Sequence, residues 1–183
     1  MRIATKKGDG GTTGRLFGSR VSKTDPAIQT VGDIDELNAA LGLIKVNLSS
    51  LSEEFMAVEK IQHALTLLMG EVAAEAERRA EYVEKYDYVK QEDMDWLEAR
   101  VDKLQDMREL DQQGWVLYGN SKPGAFSDMA SKVCRRAERS LLFLKEAEQL
   151  GSVRAICVKY LNRLSDYLHL LARYFDYSKL TTN

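Results

Sequence analysis

Apolar residues recur along most of this chain at three- and four-residue steps, the period of an α-helix with one buried face. The clearest run opens at Ser52, followed by Glu53 and Glu54, and carries Phe55, Val58, Ile61, Leu65, Leu68, Val72 and Ala76 on one stripe. A hydroxyl followed by two acids suits a helix start, because its oxygen accepts from free N–H groups and the acids face the positive end of the dipole. The same spacing predicts a helix from about Gln91 to Met107 through Trp96, Leu97, Val101 and Leu104. A further helix covers roughly Ser127 to Leu150. The last runs from Ser152 to about Tyr177 along Val153, Ile156, Tyr160, Leu164, Leu168, Leu171 and Phe175. LNAALGLIKVNL predicts one more, starting near Asp33 or Asp35, and EYVEKYDYV reads as a connection.

Two stretches break this period. Residues 5–18, TKKGDGGTTGRLFG, hold five of the 12 glycines and lead into TDPAI, which has turn chemistry. Residues 108–125 contain Gly119, Pro123 and Gly124. The pattern therefore predicts an all-α fold, a five-helix bundle with a glycine-rich N-terminal loop. Its 183 residues are enough for one domain, with 1–32 as a loop region and 33–183 as the bundle. A hydrophobic content of 44% with two prolines points the same way, since few breaks leave long helices. The chain shows no internal repeat.

Charge narrows the function classes. With 26 basic and 28 acidic residues the net charge is −2, so no overall field draws nucleic acid or an anionic membrane. Any anion site must be local. No apolar stretch approaches the ~20 residues that span a bilayer, and the N-terminus lacks the apolar run of a signal peptide. Cys134 and Cys157 form no CxxC or Cys/His pattern, which suits reduced thiols in a cytoplasm. Without a flanking His, neither is expected to act as a nucleophile.

Glycines let main-chain N–H groups approach a ligand, and Lys6, Lys7 and Lys23 add positive charge beside them; a polyphosphate asks for that combination. The stretch is not GxxxxGK[ST], so a flexible tail is the competing reading. CRRAERS places Arg135 and Arg139 four apart on one helical face with Glu138 between them. Two guanidiniums so placed repel unless they share an anion or are balanced by carboxylates on a solvated face. Asn162, Asp166 and His169, spaced four and three apart, make a polar seam in the last helix. Asn162 is suited to an adenine or ribose edge and equally to a neighbouring helix. His169 has no His or Cys nearby, which favours packing over metal ligation.

TKKGDGGTTG, RVSKTDP, VGDIDELNAALG, CRRAER and YLNRLSDYLHLLARY, in that order, together resemble the PduO-type ATP:cob(I)alamin adenosyltransferases, the corrinoid adenosyltransferases. The resemblance spans nearly the whole chain, with residues 45–114 matching mainly in helical pattern. It implies a bundle that assembles as a homotrimer with active sites between subunits. It also implies the reaction, in which cob(I)alamin attacks the 5′ carbon of ATP to give adenosylcobalamin and triphosphate. Mg2+ would accompany ATP, and a reductase or an adenosylcobalamin-dependent enzyme would be a partner. Carried over by motif, the ATP contacts are Thr5, Lys6, Lys7, Gly8, Thr13, Gly14, Lys23, Arg135, Arg136, Glu138, Arg139 and Asn162, and the catalytic set is Arg135, Asp35 and Trp115.

The chain departs from the family at two places. Where the family has a Phe before a PGG loop, an aromatic that helps displace cobalamin's lower base, this chain has Trp115 followed by Tyr118-Gly119-Asn120. Four residues before Arg135 the family usually has an arginine that pairs with the aspartate of the DEL motif across the interface. Ser131 stands there, which removes that partner from Asp35, and Lys132 lies about 100° away on the helix. These departures motivate an alternative, a paralogue that binds ATP or corrinoid for delivery or sensing without full catalysis.

Overall fold

The protein is seen in a computed structural model that describes residues 4, 6–107, 110, 115–148 and 153–181, with side chains through residue 178. Ahead of the helices stands a short hairpin, β1 (Thr12–Gly14) antiparallel to β2 (Arg20–Ser22), with Thr13 opposite Val21. Its turn uses Gly18 at φ 99°, a backbone region that glycine enters without steric cost. The helices are α1 (Pro26–Lys45), α2 (Glu53–Ala73), α3 (Arg79–Lys85), α4 (Gln91–Gln105), α5 (Lys122–Ala147) and α6 (Ala155–Thr181). A 3₁₀ turn, Ala76–Arg78, precedes α3. The five long helices form the expected bundle, and the short α3 occupies the expected connection.

α1 packs on α2 and α5, α5 on α6, and α6 on α4. Side chains close the remaining side: Arg100 and Lys103 of α4 both pair with Glu53 of α2, and the Lys60 ammonium lies 4.4 Å from the Trp96 ring centroid. Inside, the predicted stripes meet. Ile61, Leu65 and Leu68 of α2 and Leu164, Leu168 and Leu171 of α6 are fully buried, each contributing about 1.5–3 kcal/mol by leaving water. Cys134 and Cys157 are buried too, and burial pushes the Cys157 thiol up to about 12 and the Cys134 thiol far above its ordinary range. Such thiols are poor nucleophiles. Among the described residues no helix is long and apolar enough to cross a membrane.

Two helices start ahead of the sequence reading, for one reason, while α6 begins at Ala155, three residues after the expected Ser152. α1 begins at Pro26, ahead of Asp33 and Asp35, because Asp25 caps it with a carboxylate that accepts from the Ala27 N–H at 2.8 Å. Pro26 takes the first helical position, where a missing N–H costs nothing. The turn-like TDPAI is thus a cap and a first turn. α5 likewise begins at Lys122 instead of Ser127, capped by Ser121, whose hydroxyl accepts from the Gly124 N–H at 3.1 Å. Pro123 lies in its first turn. Gly124 is required there: a Cβ would stand 2.3 Å from Asp176 Oδ1 and 2.5 Å from Ser121 Oγ.

Candidate functional site

The glycine-rich stretch is built on a fixed frame. Arg15, in the hairpin turn, donates to the Val72, Ala73 and Ala74 carbonyls at 3.4, 3.4 and 2.6 Å. Those oxygens lie at the C-terminal end of α2, where the helix dipole favours a cation. The Leu16 N–H adds a bond to the Ala73 carbonyl at 3.1 Å, and the Arg78 guanidinium covers the Phe17 ring at 3.9 Å from its centroid. Within the hairpin, Arg20 binds the Thr12 hydroxyl at 2.6 Å and the Lys7 carbonyl at 2.8 Å. The frame leaves Lys6, Lys7, Gly14 and Lys23 at the surface, with Thr13 half-buried. A Cβ on Gly8 would lie 3.1 Å from Lys23 Nζ, so a bare backbone at that position lets the ammonium lie against the loop. Thr5 lies outside the described residues.

Lys23 also lines a cavity of about 370 Å³ between α1 and α5, together with Thr24, Pro26, Arg136, Arg139 and Phe143. Arg136 already has an intramolecular role. It pairs with Glu36 and lies 3.4 Å from Asp33, and the buried Asp33 carboxylate also accepts from Ser140 and Gln29. Thr30, fully buried, donates to the Ser140 carbonyl at 3.0 Å. These bonds lock α1 to α5 and hold the cavity open between them. Arg139 is exposed and has no hydrogen bond or ion pair among the described residues.

Arg135 points elsewhere. It lines a depression of about 310 Å³ with Ser131, Lys132, Ser165, Asp166 and His169, on the α5–α6 side. Like Arg139 it is exposed and unpaired, and among the described residues these two are the arginines left so. Asn162, exposed, donates to Glu138 Oε1 at 3.0 Å, which links α6 to α5 and leaves Glu138 half-buried. Ser131 is buried and donates to the Ser165 carbonyl at 3.0 Å. Asp35 is exposed on α1 with no ion pair among the described residues. The structure therefore divides the predicted set: Lys23, Arg136 and Arg139 share one cavity, while Arg135, Glu138 and Asn162 lie on another face.

Trp115 is fully exposed and borders a third cavity, of about 390 Å³, with Leu104, Met107, Tyr118, His169 and Arg173. Tyr118 sits over two cations, with its ring centroid 5.0 Å from Lys132 Nζ and 6.0 Å from the Arg173 guanidinium carbon. Beneath lies a buried ionic group. Arg173 pairs with Asp128 and lies 3.5 Å from Asp176, which accepts from Ser121 Oγ at 2.7 Å. Burial holds the Asp128 carboxyl above its ordinary range even beside Arg173. His169, with 47% of its side chain exposed, faces Asp128 at 4.0 Å. Burial, with Lys132 and Arg173 nearby, holds its imidazole below the usual value.

Sequence reasoning missed Arg15, Phe143, Arg173 and Asp128. Arg15 gave no signal, because its partners are backbone carbonyls nearly sixty residues away. Phe143 did give one: an aromatic on the polar side of α5, following the arginines, has no core to enter.

The sequence profile of the family described as cobalamin adenosyltransferase matches residues 3–175. A cobalamin adenosyltransferase from Cupriavidus metallidurans is 40% identical over 174 residues, covering 94% of this chain and 86% of that protein. The corrinoid adenosyltransferase PduO of Citrobacter freundii is 37% identical over 100% of this chain, which spans 52% of that protein, about half its length. Among solved structures, a variant PduO-type ATP:corrinoid adenosyltransferase from Lactobacillus reuteri complexed with cobalamin and ATP superposes with a TM-score of 0.87. It is 27% identical, and the match covers 98% of this chain and 93% of that one.

Proposed function

This chain belongs to the cobalamin adenosyltransferase family, and from that premise we propose that it transfers the 5′-deoxyadenosyl group of ATP to the cobalt of cob(I)alamin. The observation that carries the reading is the pair Arg135 and Arg139, the unpaired guanidiniums among the described arginines, placed in the CRRAER segment that resembles the family's motif. Each is an exposed, uncompensated cation poised for an anionic group, Arg139 on the α1 side of α5 and Arg135 on its α6 side, in place of the single shared face that their spacing suggested.

In the reaction, the cobalt(I) lone pair attacks the ribose C5′, the cobalt–carbon bond forms, and the C5′–O bond breaks. The electron pair leaves with triphosphate. No side chain has to act as nucleophile or base, so the protein's work is to position the carbon and to stabilise the negative charge of the leaving group. Lys6, Lys7, Lys23 and the main-chain N–H groups of the hairpin loop would hold the triphosphate, with Arg139 across the cavity. Arg135, Glu138 and Asn162 occupy a separate face of α5 and α6. A neighbouring copy supplying the second half-site, as in a homotrimer, would bring both sets to one nucleotide.

Among the described residues no three His, Cys, Asp or Glu side chains gather as a metal site. The cations and hydroxyls of the cavity suit phosphate oxygens, so in this reading Mg2+ arrives held by the triphosphate. The Trp115 and Tyr118 side faces the corrinoid, where an exposed indole can exclude the lower base from cobalt. A cytoplasmic setting, with a reductase supplying the electron, fits the buried reduced thiols.

One observation favours a second reading, a paralogue that binds ATP and corrinoid for delivery or sensing. Asp35 is exposed and unpaired, while Ser131 is buried and already bonded to Ser165. Incubation with ATP, Mg2+ and pre-reduced cob(I)alamin separates the two. The enzyme reading expects the absorbance change of cobalt–carbon bond formation; ATP binding without that change would leave the second reading.

A further inference from the structure

The cavity beside Trp115 has a floor that its own side chains leave incomplete. Arg173 is 2% exposed and lines that cavity. Its Nη2 is taken by Asp128, but its Nε and Nη1 are buried without a hydrogen-bond partner among the described residues. Asp128 Oδ1 and Asp176 Oδ2 are buried and lack hydrogen bonds as well. Unmet donors and unmet acceptors of this kind are rare and costly inside a protein, and here they occur within one guanidinium–carboxylate group.

A primary carboxamide complements that group. Its carbonyl accepts from the guanidinium, and its NH2 donates to a carboxylate. The surrounding charge points the same way. Asp128 and Lys132 face the spot from α5, and Arg173 and Asp176 from α6, giving two carboxylates and two cations, with His169 at 4.0 Å from Asp128. A ligand carboxylate would therefore upset a balanced set by meeting Asp128 and Asp176, and a ligand cation would meet Arg173 and Lys132. A neutral amide suffers neither penalty.

We infer that Arg173 and Asp128 read one peripheral carboxamide of the corrinoid, so that the protein selects amidated corrinoids over the corresponding carboxylates. This rests on the reading that the Trp115 side receives the corrinoid, whose ring rim carries several primary amides. Arg173 and Asp128 are then specificity-determining residues remote from the bond that forms.

The test uses the wild-type protein and equilibrium binding followed by quenching of tryptophan emission. The titrants are cob(II)alamin and its three monocarboxylic acids, each with a different propionamide hydrolysed. One of the three acids is expected to bind at least tenfold more weakly than cobalamin, with the other two within threefold. Asp128→Asn is expected to shrink that gap; the ligand series on the wild-type protein carries the test should this variant fail to fold. Equal affinity for all four corrinoids would overturn the inference while leaving adenosyl transfer intact. Discrimination among them without turnover would support it and count against the enzyme reading alone, and no affinity for cobalamin itself would overturn both.

Discussion

The two sides of α5 are built on opposite principles. On the side facing α1, cations stand free at the surface, and rigidity comes from elsewhere: Arg15 fastens the hairpin to the end of α2, and Arg136 with Thr30 fastens α1 to α5. On the side facing α6, beyond the exposed Arg135, the charges are sunk beneath Trp115 and Tyr118 in the Ser121–Asp176–Arg173–Asp128 chain. A triphosphate brings its own charge and is best met by exposed partners that need little desolvation. A large, mostly neutral macrocycle is best met by apolar surface with a few buried polar atoms that specify it. On the function proposed above, the α1 side suits the triphosphate and the α6 side the corrinoid.

That contrast can be broken at several points. The largest effect is expected from Arg135→Ala, which removes charge stabilisation from the departing triphosphate. kcat/KM should fall by roughly 10²–10³-fold in steady-state assays with cob(I)alamin, and a loss below threefold would remove Arg135 from the site. Trp115→Ala should cost about tenfold, or ~1.4 kcal/mol, chiefly in assays that start from cob(II)alamin and a reductant. Equal loss with pre-reduced cob(I)alamin would contradict its role in excluding the lower base.

Arg15→Met tests the frame in place of the ligand contacts. Freed from α2, the hairpin should raise KM for ATP by roughly fivefold while leaving kcat at saturation close to wild type, the signature of lost uniform binding. The smallest effect concerns His169. Its folded-state value lies below the ordinary 6.5, so beneath about pH 6.5 the unfolded chain binds the proton that the folded chain resists. Its contribution to stability is present above that pH and is lost as pH falls. Thermal unfolding from pH 7.5 to 5 should show a shallower decline for His169→Gln than for wild type; identical slopes would remove His169 from the linkage.

The bundle was legible because Val58, Ile61, Leu65 and Leu68, like Leu164, Leu168 and Leu171, keep helical period and end up buried. The exposed cations of the candidate site could be picked out too, since TKKGDGGTTG and CRRAER are local in sequence. Long-range pairing was not. Nothing near Arg15 announces the carbonyls of α2, and nothing near Asp128 announces Arg173, 45 residues on. Asp25-Pro26 and Ser121 before Pro123 did carry a signal, a capping side chain ahead of a first-turn proline, but their turn-like composition masked it. Strands of three residues such as Thr12–Gly14 are too short to show a period.

The decisive measurement counts products. With ATP, Mg2+ and excess cob(I)alamin, phosphorus NMR and the absorbance of adenosylcobalamin should rise together, one intact triphosphate for each cobalt–carbon bond. ATP that stays bound and unchanged while cob(I)alamin is not alkylated, or that is cleaved to diphosphate and phosphate, would contradict adenosyl transfer by this protein.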